Sequence, residues 1–116
     1  MFSSTFIFEA KAFDDEFHER NDDIAERARL IDGFLGEEEW HNEDTGLHAE
    51  VYYWSTKEAM TELIGMTEHR EAKQRHERWI GRYKVVLAEV VSTYGDPALA
   101  VTHAPGAAGE GPRLTD

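Results

Sequence analysis

Six histidines, three tryptophans and four tyrosines carry most of the reactive side-chain chemistry of this 116-residue chain. Cysteine is absent, which removes thiolate metal sites, thiol nucleophiles and disulfides together. His69 is the sharpest candidate. It opens a stripe of His69, Ala72, His76 and Trp79, spaced by three, four and three residues as on one side of a helix. An imidazole there can serve as a base near neutral pH, or can satisfy the free backbone groups of a helix start behind Thr67. His76 lies seven residues on, about 10 Å along a helix axis, too far to share one ion with His69. His18, His41, His48 and His103 have no partners at ligand spacing, so no metal site is expected. No glycine-rich phosphate loop is present, so no flavin or nicotinamide cofactor is expected either.

Aromatic residues come next. His48, Tyr52 and Trp54 share one face of a strand by alternation, with Ala49, Val51 and Tyr53 on the other. Buried rings are packing material first, but the Trp N–H and Tyr O–H groups need partners, and one that faces a cavity becomes a donor to a ligand. Asn21 interrupts an otherwise apolar helical stripe and either bonds backbone or touches a ligand. Trp54, Tyr52 and Asn21, with Tyr83 and the stripe of His69, His76 and Trp79, make up the candidate site. His69 is its base and Trp54 and Tyr83 are its donors, while Asn21, Tyr52, His76 and Trp79 line a substrate pocket.

The elements that must position them follow from periodicity. Phe2 to Ala12 is β-prone and partly alternating. From Asp14 the pattern Phe17, Asn21, Ile24, Ala28, Ile31 is helical, with acidic residues in the first turn and Gly33 as its stop. Phe34 to Glu43 is extended, Asn42 to Gly46 is a turn cluster, and His48 to Trp54 returns as the second arm of a hairpin. Ser55, three residues before Glu58, has the form of a capping box and opens a helix with Ala59, Met60, Leu63 and Ile64 inward; Gly65 ends or bends it. A second short helix is expected over Glu68–Trp79, then a β-branched strand over Tyr83–Tyr94. The order β-α-β-β-α-β is the ferredoxin-like α+β arrangement, a four-stranded antiparallel sheet with helices on one face. So short a chain cannot cover the other face, which is expected to pair with a second copy as a homodimer.

Composition sets the limits. One modest core fits in this length, over residues 2–95, and the Pro- and Gly-rich residues 96–116 read as a flexible tail. A formal charge of −12 repels phosphate backbones and anionic lipid, so neither nucleic acid nor membrane is an expected partner. Charge is uneven: residues 67–84 hold six basic and three acidic groups, while Phe34–Asp44 holds five acidic and no basic ones. No run is long enough to span a membrane and no signal peptide opens the chain, which points to the cytoplasm.

The run Ile31-Asp32-Gly33-Phe34-Leu35-Gly36, then Val51-Tyr52-Tyr53-Trp54 with Glu58-Ala59, then Glu68-His69-Arg70-Glu71-Ala72-Lys73, resembles the antibiotic biosynthesis monooxygenase family. The closing segment with Trp79, Tyr83, Glu89 and Tyr94-Gly95 is similar too, so the resemblance spans roughly residues 4–95. It implies a dimeric α+β barrel. It also implies a monooxygenase that needs no cofactor and acts on a small aromatic or enolisable molecule. The alternative is a non-catalytic dimeric barrel that binds a hydrophobic ligand or heme. The family's heme-degrading branch carries an Asn on strand one, then a Trp and an iron-ligating His. Anchored on Trp54, this chain has Leu63 and Lys73 at the latter two places and no Asn on strand one, so heme is disfavoured.

Overall fold

The computed structural model describes residues 1–11, 15–67 and 79–99. Its elements are β1 (Phe2–Ala10), α1 (Asp15–Arg29), β2 (Phe34–Asn42), β3 (Leu47–Trp54), α2 (Lys57–Thr67) and β4 (Ile80–Glu89), followed by a 3-10 turn over Pro97–Leu99. The four strands form one antiparallel sheet in the order β2-β3-β1-β4. The ferredoxin-like α+β class expected from the element order is therefore the fold observed.

Pairing in register gives the sheet two chemically different faces. Phe2 stands opposite Trp54 and Glu89, Ser4 opposite Tyr52 and Leu87, and Phe8 opposite His48 and Tyr83, so these side chains share the face that the helices cover. There α2 packs over β1 and β3, and α1 over β2. The main core joins Ala28 and Ile31 to Tyr52, Trp54, Ala59, Met60 and Leu63, and a smaller one joins Phe8 to Trp79 and Ile80. Ile7, Val51, Tyr53, Val86 and Trp40 lie on the opposite face, which no described element covers.

Local chemistry fixes the ends of the elements. Asp15 and Glu16 sit in the first turn of α1 and Arg27 and Arg29 in its last, each favourable to the helix dipole. Arg29 also bonds Glu37, tying the end of α1 to β2. Gly33 takes φ 103°, and a Cβ there would come within 2.9 Å of both Ala59 Cβ and Ser55 Oγ. Glycine is needed both for the backbone angle and for the close approach of α2.

Four boundaries differ from the sequence expectation. The residue that caps α2 is Thr56, not Ser55: Thr56 Oγ1 accepts from Ala59 N at 3.2 Å, and Ser55 instead donates its N–H to Gly33 O at 2.8 Å. Helix α2 runs through Gly65 to Thr67, because Gly65 faces open space and no contact forces a break. Strand β4 begins at Ile80, three residues early, because a bulge past Phe8 lets Ala10 pair with Ile80, and Lys11 N then reaches Trp79 O. It stops at Glu89 rather than Tyr94 because Glu89 pairs with Phe2, where β1 begins. After that, one bond from Val90 N to Met1 O closes the ladder. The expected helix over Glu68–Trp79 falls mostly outside the described residues, as does the tail after Leu99. Among the described residues, no helix is long and apolar enough to cross a membrane.

Candidate functional site

The turn between β2 and β3 determines what the hairpin presents. Asn42 Oδ1 accepts from Asp44 N at 2.9 Å and Thr45 N at 3.2 Å, Gly46 N donates to Asn42 O at 2.9 Å, and Gly46 takes φ 72°. This closes the loop so that His41 pairs with His48 and Glu39 with Glu50. The helix-facing side of the hairpin thus carries two imidazoles and two carboxyl groups in a two-by-two array, the imidazoles stacked at 4.4 Å and 10°.

Beneath α1 this array borders a cavity of about 300 Å³. Phe8, half-buried His48 and Glu50, only 9% exposed, form its inner part. Exposed His18, Glu39 and His41 stand at its rim, and Asn21 reaches in from α1 one helical turn beyond His18. The Phe8 ring stacks on His48 at 5.4 Å. Burial is the main force that lowers the His48 pKa below its ordinary 6.5; nearby His41 adds to it and Glu39 opposes it. A neutral imidazole is a proton acceptor. Among the described residues no set of three His, Asp or Glu is placed to hold a metal.

Of the residues expected at the site, the structure places Asn21 in this cavity. Trp54 lies in the main core, with no exposure, and its indole N–H donates to Ser4 Oγ at 3.1 Å. Tyr52 is buried beside it, and burial together with Glu50, Glu37 and Glu39 pushes its hydroxyl far above the usual phenol range, so it stays a donor. Trp79 belongs to the smaller core. Tyr83 is 52% exposed on β4, its ring 5.6 Å from Phe6. His69 and His76 lie outside the described residues.

Sequence reasoning passed over His48, Glu50, His41, Glu39 and Phe8, weighing the histidines singly by ligand spacing. The usable signal was the mirrored order Glu39-x-His41 and His48-x-Glu50 around a turn cluster. Any hairpin centred on that cluster brings like residues face to face.

No family model matches the chain, and no curated protein does. Solved structures do match. SnoaB, a cofactor-independent oxygenase from Streptomyces nogalater, superimposes with a TM-score of 0.66 at 11% identity, over 82% of this chain and 97% of the other. A protein assigned as an antibiotic biosynthesis monooxygenase from Deinococcus radiodurans gives 0.63 at 19%, over 83% and 98%. The fold is that of the antibiotic biosynthesis monooxygenases. A dimeric ferredoxin-like protein from an uncultured marine organism shares this monooxygenase fold at a TM-score of 0.60 and 14% identity, over 82% and 91%. At such identities the monooxygenase likeness is one of architecture. The chemistry has to be argued from this chain's own residues.

Proposed function

We propose that the chain is a cofactor-independent monooxygenase that works as a homodimer, with the cavity under α1 as its reaction chamber and His48 as its base. The observation that carries the reading is a partly buried imidazole with a lowered pKa inside an aromatic-walled cavity of about 300 Å³. SnoaB, which shares the fold, is a cofactor-independent oxygenase. A substrate that can be made an anion supplies its own electrons. His48 takes a proton from a phenol or an activated CH2. The anion then gives one electron to O2, and the resulting pair joins through a C–O bond as a peroxide. The imidazolium returns its proton to the peroxide, and loss of water from the hydroperoxide leaves a carbonyl. One oxygen atom ends in product and one in water, and the four electrons come from the two C–H bonds of the CH2. Phe8 and Asn21 orient the ring, and shielding from bulk water protects the radical pair.

His69, the base expected from the sequence, stands as the rival to His48. Trp54 enters only as a wall, since its N–H is already given to Ser4. The homodimer reading rests on the uncovered sheet face with Ile7, Val51 and Val86, and on the dimeric protein of the same fold.

Oxygen uptake with a panel of phenols and enolisable cyclic ketones tests the proposal. His48→Gln is expected to cut turnover by roughly 100- to 10,000-fold with the fold intact, and the wild-type rate to rise with pH on a limb whose midpoint is below 6.5. His69→Gln is expected to change turnover by less than about threefold. The reverse ordering moves the base to His69, and absence of uptake with every substrate overturns the oxygenase reading.

A further inference from the structure

Beyond β4 the chain forms an arm, residues 90–99, with a defined shape and bare apolar side chains. Gly95 takes φ 143°, Asp96 Oδ1 accepts from Ala98 N at 2.9 Å, and Asp96 O accepts from Leu99 N at 3.0 Å, so local bonds bend the arm into its closing 3-10 turn. Yet Val91, Tyr94 and Leu99 are 97%, 79% and 87% exposed. Large apolar side chains bunched on a backbone already shaped are the mark of a contact surface.

A recess that suits them lies at the other end of the sheet. On the face that no described element covers, beside the β2–β3 turn, is a groove of about 610 Å³ whose walls include Ile7, Trp40, Leu47 and Ala49, with Glu43 and Thr45 at its polar rim. The arm of the same chain is carried away from it. Strand β4 starts near the turn end, where Ile80 pairs with Ala10, and leaves the sheet at the far end, where Glu89 pairs with Phe2. By strand rise and spacing Trp40 and Leu47 lie roughly 22–26 Å from that exit, against a reach of about 18 Å from Glu89 to Tyr94. A second copy set face to face, its strands crossing the first set, brings its own exit over the turn end.

We propose that the 90–99 arm of one copy seats in the Trp40 groove of the other, with Tyr94 as its anchor. The Tyr94 ring packs on Trp40 and Leu47 and its hydroxyl points to Thr45. This rests on the homodimer reading given above and names the segment that locks it. Tyrosine and tryptophan combine a large apolar area with a polar tip, which suits a groove with apolar walls and a polar rim. The two-fold repeats the contact, so each dimer holds two seated arms.

Because the chain has no cysteine, cross-linking reports this contact without background. Glu43 and Ala98 are both exposed, and the double variant Glu43→Cys, Ala98→Cys, treated with a short bis-maleimide, is expected to run as a covalent dimer on a denaturing gel. Either single variant is expected to run as a monomer. Light scattering over a dilution series gives a second readout. Tyr94→Ser is expected to raise the dimer dissociation constant at least about tenfold, and Tyr94→Phe, which keeps the ring, by less than about threefold. A dimer that gives no cross-link, or that Tyr94→Ser leaves unchanged, overturns the inference and leaves the homodimer standing. A monomeric wild type overturns both.

Discussion

A buried indole must find an acceptor, and Trp54 finds it at Ser4, fifty positions away in sequence and adjacent across the β1–β3 pairing. Both residues are buried, so the indole N–H is left without its acceptor if the hydroxyl is lost. Ser4→Ala is expected to lower unfolding free energy by about 1–3 kcal/mol, read from a urea melt, and to leave the denaturant slope unchanged. Phe2 and Phe34 wall the same indole, with Phe34 edge-on at 5.7 Å, so the ring should stay where it is after the substitution. A weakened Ser4→Ala protein that shows a shifted Trp54 environment would argue against this account. The sequence marked Trp54 as a ring in need of a partner. It could not name Ser4, because a strand pairing fifty residues apart is set by the register of the whole sheet.

The β2–β3 hairpin carries a group, His48, through which stability should follow pH near neutrality. Packed around His48 are His18 from α1, Glu39 and His41 from β2, and Glu50 from its own strand. The pKa of His48 is lower in the folded chain than in the unfolded one, so above about 6.5 both states are neutral and its contribution is fully present. As pH falls through 6.5 the unfolded chain takes up the proton first, and stability is lost until the folded imidazole is protonated too. Melting temperature is therefore expected to fall as pH drops below about 6.5, and His48→Gln is expected to flatten that part of the curve. A slope unchanged by the substitution would remove His48 as its cause. The hairpin itself was legible from its turn cluster and the alternation after it. What it displays was not read, because the four residues are ordinary one by one and become a site only when the Asn42–Leu47 turn sets them opposite one another.

Among the described residues, four strands with helices on one side leave a sheet half covered. Trp40, 63% exposed, and Val86 stand on the open face with Ile7 and Val51, and an apolar surface of that kind fits a second copy of the same sheet. Solution mass by light scattering is expected to be twice that of the chain at micromolar concentration, and Val86→Arg to halve it, because a buried unpaired guanidinium at a two-fold interface appears twice. A monomeric wild type would overturn the dimer. The β-α-β-β-α-β order and the uncovered face were both legible in periodicity and length. The limits of β4 were not, since β-branched residues continue past Glu89 while the strand stops where its partner does.

Strand β1 occupies the middle of the sheet, between β3 and β4. Synthesis delivers it before either neighbour, and β4 is complete only about eighty residues later. At roughly 5–20 residues per second that is a wait on the order of 4–16 s for its β4 edge, and roughly half as long for its β3 edge, which is available once Trp54 is made. The hairpin and α2 can form on the ribosome, but the sheet cannot close there until β4 has left the exit tunnel. Strand β1 therefore waits with one edge unpaired until β4 is made, and yield in cells should depend more on ribosome-associated holding chaperones than the small size of the sheet suggests.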